Sequence, residues 1–433
     1  MISFNVRSLT VTLCIAASTL SATKRCAAHD HTEQARGMIP TADSIEIFEK
    51  RVKENPNDAG SWLVLGRLQL RLAKEADQFS AYSEAERSFE KVLQLNPESI
   101  SGKSWRSVAL LAMHRFEEAA EQARDAVNQS GRATSAMATL CDALTEMGNL
   151  DEAERVLAEL KRQNESPPVL VRLARIAALR GNSHSAESNL VRAVEMHVHR
   201  GGTPEQLSWY QHRLGAFHLE SGNLPQAKHW FEAALHSQHD DVHSVAALAS
   251  VLARMGDEIE AVQLFEQVVP DHASPPVLSE YGDLLAKMGR SADAEKAWDL
   301  AEEIILDEAG RNDSRIAHAR EAAVFLSNHD RQLDLAIKLA RTDLEGRKDP
   351  AAYDTLAWAL HQSGNSAAAI PLMQTALQRK DHEASFHFHA GMIYHRLGNR
   401  DSATKHLRRC LQINEHFSIR DAAIARKTLE EIT

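Results

Sequence analysis

The sequence predicts an all-α solenoid of about ten tandem helix–turn–helix repeats, and three observations support that prediction. An alanine recurs at nearly constant spacing, a turn residue precedes it at a fixed distance, and residues that favour other folds are scarce. Aromatic residues make up only 5% of the 433-residue chain, which contains 19 Gly and 12 Pro. A composition with few aromatics and few turn formers is typical of helices joined by short turns.

The recurrent alanine, called here the marker alanine, defines the period of the repeat. The marker alanines are Ala85, Ala119, Ala153, Ala186, Ala227, Ala261, Ala294, Ala336, Ala369 and Ala403. Seven of the nine intervals between them are 33 or 34 residues, and the other two are 41 and 42. Self-similarity at such a period indicates stacked supersecondary units. The longer intervals add about two helical turns, so a longer helix or loop absorbs them without loss of register.

Within each repeat the sequence predicts two amphipathic helices separated by a tight turn. Five residues before the marker alanine stands a residue that tolerates positive φ, as at Gly148, Gly222 and Gly364. Seven residues before that turn position the side chain is small, as at Gly215. Four residues after the marker alanine the side chain is large, as at Phe231. A small residue opposite a large one lets the two helices pack closely, so that each helix buries one face.

The residues that carry a family resemblance in repeat 1 are Trp62, Leu65, Gly66, Ala85, Phe89 and Pro97. This pattern resembles the tetratricopeptide repeat (TPR), a 34-residue helix–turn–helix unit. The resemblance covers residues 59–416, and residues 353–360 and 389–393 are similar to bacterial exported proteins of this class. It implies a right-handed α-solenoid that binds proteins without enzymatic activity or a cofactor. Repeat 8 departs most from the pattern, since Asp343 stands where alanine is expected.

The two ends of the chain are predicted to differ from the repeats. The pattern of residues 1–28 predicts a signal peptide, because its twelve-residue apolar run is too short to span a membrane. Residues 29–43 are predicted to be a flexible leader, and residues 44–56 and 418–433 to be capping helices that flank a solenoid over residues 57–417. We therefore expect export to the bacterial periplasm or cell envelope, with a cytoplasmic location as the alternative.

Charge and motifs argue against several classes of function. The net charge of −11 disfavours nucleic acid as a partner, and no internal stretch of the sequence is apolar enough to span a membrane. The sequence has no phosphate-binding Gly-rich loop, no Gly-x-Ser-x-Gly motif and no His-Glu-x-x-His motif. We therefore predict no catalytic, cofactor-binding or metal-ligating residues.

Histidine is the exception in the composition, with 22 residues. His236, His239 and His243 would share one helix face only if a single helix contained all three, and a repeat boundary is expected between them. No cysteine or carboxylate completes a familiar ligand set with them. A His-rich metal-handling protein stays open as an alternative function.

The resemblance places ligands on the inner, concave surface, against the second, fifth, ninth and twelfth positions of each first helix. No ninth position is Asn, so the clamp that some members use on a peptide's C-terminal carboxylate is not predicted. The predicted partner-binding residues at such positions are Phe325, Trp358, His361, Phe388, Met392, His395, Trp209 and Arg175. Asp283 and Asp354 stand at equivalent positions.

An exposed apolar cluster among these residues would favour a bound peptide or partner helix. The alternative is that the apolar side chains, Trp358 above all, fill contacts between repeats. The predicted function is therefore a protein-interaction scaffold with a protein or peptide partner. An accessory subunit of a cell-envelope enzyme or polysaccharide-export complex is the other open alternative.

Overall fold

The computed structural model describes residues 41–75, 80–310, 319–379 and 382–433. Over these residues every regular element is an α-helix, which confirms the predicted all-α solenoid. The helices are α1 Thr41–Glu54, α2 Ala59–Glu75, α3 Ser80–Leu95, α4 Ile100–Ala112, α5 Phe116–Gln129, α6 Thr134–Glu146, α7 Leu150–Gln163, α8 Pro167–Leu179, α9 Ser183–His199, α10 Pro204–Glu220, α11 Leu224–Ser237, α12 Val242–Met255, α13 Glu258–His272, α14 Pro275–Lys287, α15 Ser291–Gly310, α16 Ala319–Asn328, α17 Leu333–Gly346, α18 Pro350–Gln362, α19 Ser366–Arg379, α20 Ala384–Arg396, α21 Arg400–Ile413 and α22 Asp421–Ile432.

Helices α2 to α21 form ten consecutive pairs, which correspond to repeats 1 to 10. In each repeat the first helix packs against the second, and the second packs against the first helix of the next repeat. First helices of neighbouring repeats also pack on one another, as α4 does on α6 and α16 on α18. The first helices therefore form one continuous surface, called here the inner surface.

The marker alanine lies in the core of every repeat, as its spacing predicts. All ten marker alanines are 0% exposed. The large residue four positions later is also buried, as Phe231 and Phe265 show. At Gly215 an added Cβ would lie 2.8 Å from the Phe231 ring, so the backbone of the first helix directly contacts that ring. Close helix packing therefore rests on this pairing of small and large residues.

The turn between the helices of a repeat uses the left-handed region of φ. Gly148, Gly222 and Gly364 have φ of 74°, 76° and 88°. Repeat 2 has His114 in the same position with φ of 58°. Glycine adopts this conformation without a steric cost, which explains its recurrence at the turn.

Longer helices contain most of the extra residues in the two long intervals. α9 and α10 have 17 residues each, and α15 has 20, whereas α7 has 14. α10 begins after Thr203, whose hydroxyl accepts a hydrogen bond from the backbone N–H of Gln206 at 3.4 Å. This contact stabilises the start of the helix.

Repeat 8 departs from the pattern because a buried ion pair replaces the usual apolar contact. The Asp343 side chain is 1% exposed, and its Oδ2 accepts a hydrogen bond from Arg320 Nε at 2.8 Å. Arg320 also donates to both carboxylate oxygens of Asp349, at 3.1 and 2.8 Å. The carboxylate at the alanine position is thus the partner of an arginine on the first helix.

The structure describes only part of the predicted ends. The predicted signal peptide at residues 1–28 lies outside the described residues, as do residues 29–40 of the predicted leader. Residues 41–43 are not a leader, because α1 already begins at Thr41. α22 begins at Asp421 within the predicted cap. Among the described residues, no helix is both long enough and apolar enough to cross a membrane.

Candidate functional site

Three of the predicted site residues are buried within the solenoid and expose almost none of their side chains. Phe325, Trp358 and Phe388 are 3%, 3% and 1% exposed. The expectation of an exposed apolar cluster is therefore wrong for these three side chains. They fill contacts between repeats, which is the alternative that the sequence left open.

Trp358 joins three neighbouring repeats. Its ring centroid lies 5.7 Å from that of Phe388 and 4.2 Å from that of His389, both on α20 in repeat 10. Its indole Nε1 donates a hydrogen bond to Oδ1 of Asn328, the last residue of α16 in repeat 8, at 2.8 Å. A buried indole with its N–H satisfied is a packing element, and it leaves no free donor for a ligand.

Three further predicted residues lie around the same cluster. His361 stacks on Trp358 with a centroid distance of 5.1 Å, and its Nδ1 lies 2.9 Å from Ser366 Oγ. Burial lowers the pKa of His361 to about 4, so the ring is neutral near pH 7. Met392 is half-buried against the cluster, whereas His395 is exposed.

The two remaining predicted residues lie elsewhere. Trp209, on α10 in repeat 5, is 49% exposed. Arg175, on α8 in repeat 4, donates a hydrogen bond to Glu146 Oε1 at 2.6 Å. The structure therefore brings together the predicted residues of repeats 9 and 10 and leaves these two apart from them.

A cavity of about 650 Å³ lies on the inner surface. Residues of α12, α14, α16, α18 and α20 line it, including Arg254, Asp283, Phe325, Asp354 and His389. It thus contacts the first helices of repeats 6 to 10. Of the eight predicted residues, only Phe325 lines this cavity.

Carboxylates set the charge of the cavity. Asp354 accepts from His389 Nδ1, at 2.9 and 3.0 Å from its two oxygens. Asp283 Oδ1 is buried without a hydrogen bond and lies 3.9 Å from His329 Nδ1. Burial raises the pKa of Asp283 to about 7. Burial, together with the nearby Arg420, lowers the pKa of His329 to about 3, so this ring supplies no charge to the carboxylate.

Arg254 connects the inner surface to a distant part of the chain. Its side chain is 7% exposed and donates to Glu280 Oε1 at 2.7 Å. Its Nε donates to the backbone carbonyl of His416 at 3.0 Å. His416 belongs to residues 414–421, called here the C-terminal segment, which leads from α21 to the first residue of α22.

The C-terminal segment also contacts the inner surface near its two ends. At one end, Asn414 Nδ2 donates to the carbonyls of Leu219 and Glu220, at 3.2 and 3.1 Å, where α10 ends. Near the other, Arg420 donates to the carbonyl of Asn328, where α16 ends. The segment therefore lies across the first helices of repeats 5 to 8.

The described residues hold no arrangement typical of catalysis or metal binding. Burial raises the thiol pKa of both Cys141 and Cys410 to about 12, so neither is a thiolate near pH 7. His236 is on α11, His239 lies between helices and His243 is on α12, so no single helix holds the three. In the described part of the chain, no group of three or more His, Cys, Asp or Glu is placed to hold a metal ion.

Sequence reasoning missed the residues that tie the C-terminal segment to the inner surface, namely Arg254, Asn414 and Arg420. One signal was available, because seven residues, 414–420, separate α21 from α22, whereas four, 238–241, separate α11 from α12. The extra length indicates an irregular link but does not reveal what the link contacts.

Comparison with known protein families supports the assignment of the repeat that the sequence predicts. Residues 110–176 and residues 384–417 match two family models, both described as tetratricopeptide repeat. Among curated proteins, no significant match to the sequence is found.

Among solved structures, human IFIT1, solved as a dimer with PPP-AAAA, is 16% identical, with 77% of each chain covered and a TM-score of 0.50. The thermophilic TPR protein TTC0263 of Thermus thermophilus is 24% identical, over 43% of this chain and 98% of its own, with a TM-score of 0.38. A tetratricopeptide repeat protein from Parabacteroides merdae is 16% identical, over 62% of this chain and 99% of its own, with a TM-score of 0.34. At these identities the likeness shows the fold alone. Together with the ten helix pairs, the two family matches confirm that the chain carries tetratricopeptide repeats.

Proposed function

We propose that the chain is a non-enzymatic scaffold that binds a non-helical segment of a protein partner on the inner surface of repeats 5 to 8. The fold supports a protein–protein interaction scaffold. The observation that carries the finer proposal is that a non-helical stretch of polypeptide, the C-terminal segment, already lies on α10, α12 and α16. The surface thus offers a donor, Arg254, to a main-chain carbonyl of a bound segment, and it offers helix-end carbonyls to the side chains of that segment.

The chemistry of the inner surface supports binding more than turnover. Its ionisable groups are mostly held in fixed hydrogen-bonded pairs, such as Arg254 with Glu280 and His389 with Asp354. The buried thiols have raised pKa values and line no part of the cavity. A surface of paired charges around apolar patches gives orientation and specificity to a bound chain.

We place this function outside the cytoplasm on the pattern of residues 1–28 alone. Sequencing the N-terminus of the native protein tests this placement. We expect a mature chain that begins at His29, and an intact Met1 would contradict export by a cleaved signal peptide.

A site-specific photo-crosslinker tests the scaffold proposal. Glu321 is exposed and lines the cavity, whereas Glu260 is exposed on the second helix α13. With the crosslinker at each position in the native host, we expect a discrete protein adduct from position 321 and none from position 260. Equal adducts at both positions, or adducts only at position 260, would show that partners do not use the inner surface.

A further inference from the structure

The C-terminal segment follows the inner surface in chain order. Asn414 contacts the end of α10, and the carbonyl of His416 accepts from Arg254 of α12. Ile419 is 8% exposed and belongs to an apolar cluster formed with residues of α12, α13 and α14. Arg420 reaches the end of α16. Successive residues of the segment therefore contact successive first helices, as a ligand in a groove does.

The contacts involve both the main chain and the side chains of the segment. Arg254 donates a hydrogen bond to the main-chain carbonyl of His416. Because the acceptor is a main-chain atom, any residue at position 416 could make this contact. Three side chains add specificity. Phe417 packs on Phe388 at 5.4 Å between centroids, Ile419 fills the apolar cluster, and Arg420 donates to a main-chain carbonyl. The segment thus presents an aromatic, an aliphatic and a basic side chain within four residues.

The charge of the surface complements the basic side chain. Asp283 is a buried carboxyl whose Oδ1 has no hydrogen bond, and Arg420 is the charged residue that most favours its ionised form. Glu321 adds an exposed carboxylate at the rim of the cavity, while the arginines that line it, Arg254 and Arg320, are already paired with carboxylates. Arg420 itself pairs with Asp421 of the segment, whose Oδ1 accepts from its Nε at 2.8 Å. A cationic side chain is therefore favoured at this position over an anionic one.

We propose that the inner surface of repeats 5 to 8, together with Phe388 of repeat 10, recognises a non-helical partner segment with an aromatic, an aliphatic and a basic side chain in succession, and that the C-terminal segment is an internal ligand which the partner displaces. This inference rests on the proposed function, since it names the partner class and the regulation of the same surface. α22 keeps the segment in place from its C-terminal side, because Ala425 and Ile432 pack in the apolar cluster of repeats 9 and 10.

Tethering makes the internal ligand an effective competitor. A segment held between two packed helices has an effective concentration on the order of millimolar or more. A free peptide with the same contacts binds the native chain only weakly, because it competes against that concentration. A true partner overcomes the competition through additional contacts outside residues 414–421, or after another event releases α22.

A peptide-binding experiment on the full-length chain tests the proposal. The probe is a fluorescein-labelled synthetic peptide with the sequence of residues 414–421, Asn-Glu-His-Phe-Ser-Ile-Arg-Asp. The double variant I419S/R420A weakens the internal ligand, and Lys427→Ala is the matched control, because Lys427 is an exposed cation on α22. We expect the double variant to bind the peptide at least tenfold more tightly than the wild type and the control do. A peptide with Glu in place of Arg should lose at least tenfold in affinity.

Hydrogen exchange on the same proteins shows whether the double variant releases the C-terminal segment from the inner surface. In the double variant we expect faster exchange of amides in residues 414–421, with α12 and α14 still protected. Release of the segment without a gain in peptide binding would overturn the proposal, because the surface would then have no affinity for such a sequence. Continued protection of the segment would also overturn it, since Ile419 and Arg420 would not be its anchors.

The outcomes separate this inference from the proposed function. Failure of the peptide to bind, together with crosslinks at position 321, would leave the scaffold role in place and remove the internal-ligand role. Peptide binding without crosslinks at position 321 would support recognition of the segment by the inner surface, and it would contradict a cellular partner at that surface. Concentration-dependent dimers of the double variant would indicate exchange of the segment between two copies and would overturn a separate partner as the occupant.

Discussion

The burial of Phe388 and Trp358 predicts that their truncation destabilises the C-terminal repeats. Phe388 is 1% exposed and Trp358 is 3% exposed, with their rings in contact. Burying an aromatic side chain of about 150–200 Å² contributes about 4 kcal/mol at about 25 cal/mol per Å². Core truncations of Phe or Trp to Ala cost about 3–5 kcal/mol. We therefore expect Phe388→Ala and Trp358→Ala each to lower the free energy of unfolding by about 3–5 kcal/mol.

Trp209→Ala provides the matched control for these two variants. Trp209 is also an aromatic residue of a first helix, but it is 49% exposed. Its truncation should cost less than about 1 kcal/mol, in line with substitutions at partly exposed sites. The comparison therefore separates the effect of burial on the free energy of unfolding from the effect of residue type.

Equilibrium urea unfolding followed by circular dichroism measures the three effects. In a solenoid each repeat contacts its neighbours, so the loss should appear as an early transition of the C-terminal repeats, with the N-terminal repeats less affected. Unfolding of all three variants at the urea concentration of the wild type would refute the burial of these rings. That result would restore the exposed apolar cluster expected from the sequence.

Three further substitutions test the packing and the electrostatics. Gly215→Ala places a Cβ 2.8 Å from the buried Phe231 ring. Overpacking should destabilise the fold by about 1–3 kcal/mol, which exceeds the gain of about 1 kcal/mol in helix propensity. A raised melting temperature would contradict this net loss of stability. Asp343→Ala removes the buried one of the two carboxylates that pair with the partly buried Arg320 and should cost about 3–5 kcal/mol in chemical denaturation. A loss below about 1 kcal/mol would contradict the ion pair. The pKa of Asp283 is raised from 3.8 to about 7 in the folded state, which therefore binds more protons than the unfolded state between these values. Stability should fall by up to about 4 kcal/mol as pH rises through that range, and Asp283→Asn should remove this dependence in melts at about pH 5 and about pH 8.

The repeat could be predicted because its determinants are local in sequence. A small residue at Gly215 and a large one at Phe231 lie within one helix pair, and the turn at Gly222 lies between them. Short-range spacing therefore specifies each unit, and identical units stack in the same way. The two long intervals did not disturb the prediction, because longer helices contain most of the extra residues.

The candidate site could not be predicted to the same extent, because it depends on contacts that sequence spacing does not encode. Trp358 stands at a first-helix position, yet Asn328 of the preceding pair and Phe388 of the following pair enclose it. The register of one helix specifies which way a side chain points, but not what the neighbouring repeats place in front of it. The contact between Asn414 and Leu219 joins residues 195 positions apart and depends on the curvature accumulated over five repeats.

The C-terminal segment makes polar contacts beside the apolar contacts of Phe417 and Ile419, and these polar contacts favour an internal ligand over a permanent cap. A cap that serves stability alone is better built from apolar side chains, since replacing buried ionic groups by apolar residues is often neutral or stabilising. The inner surface instead holds Arg254 against a main-chain carbonyl of the segment and leaves Asp283 buried with a raised pKa. Such groups bind an arriving chain in one orientation, and Arg254 can donate to another carbonyl once that of His416 has left. Arg254 and Asp283, which stabilise the fold less than apolar residues would, therefore lie on the surface that an exchangeable occupant contacts.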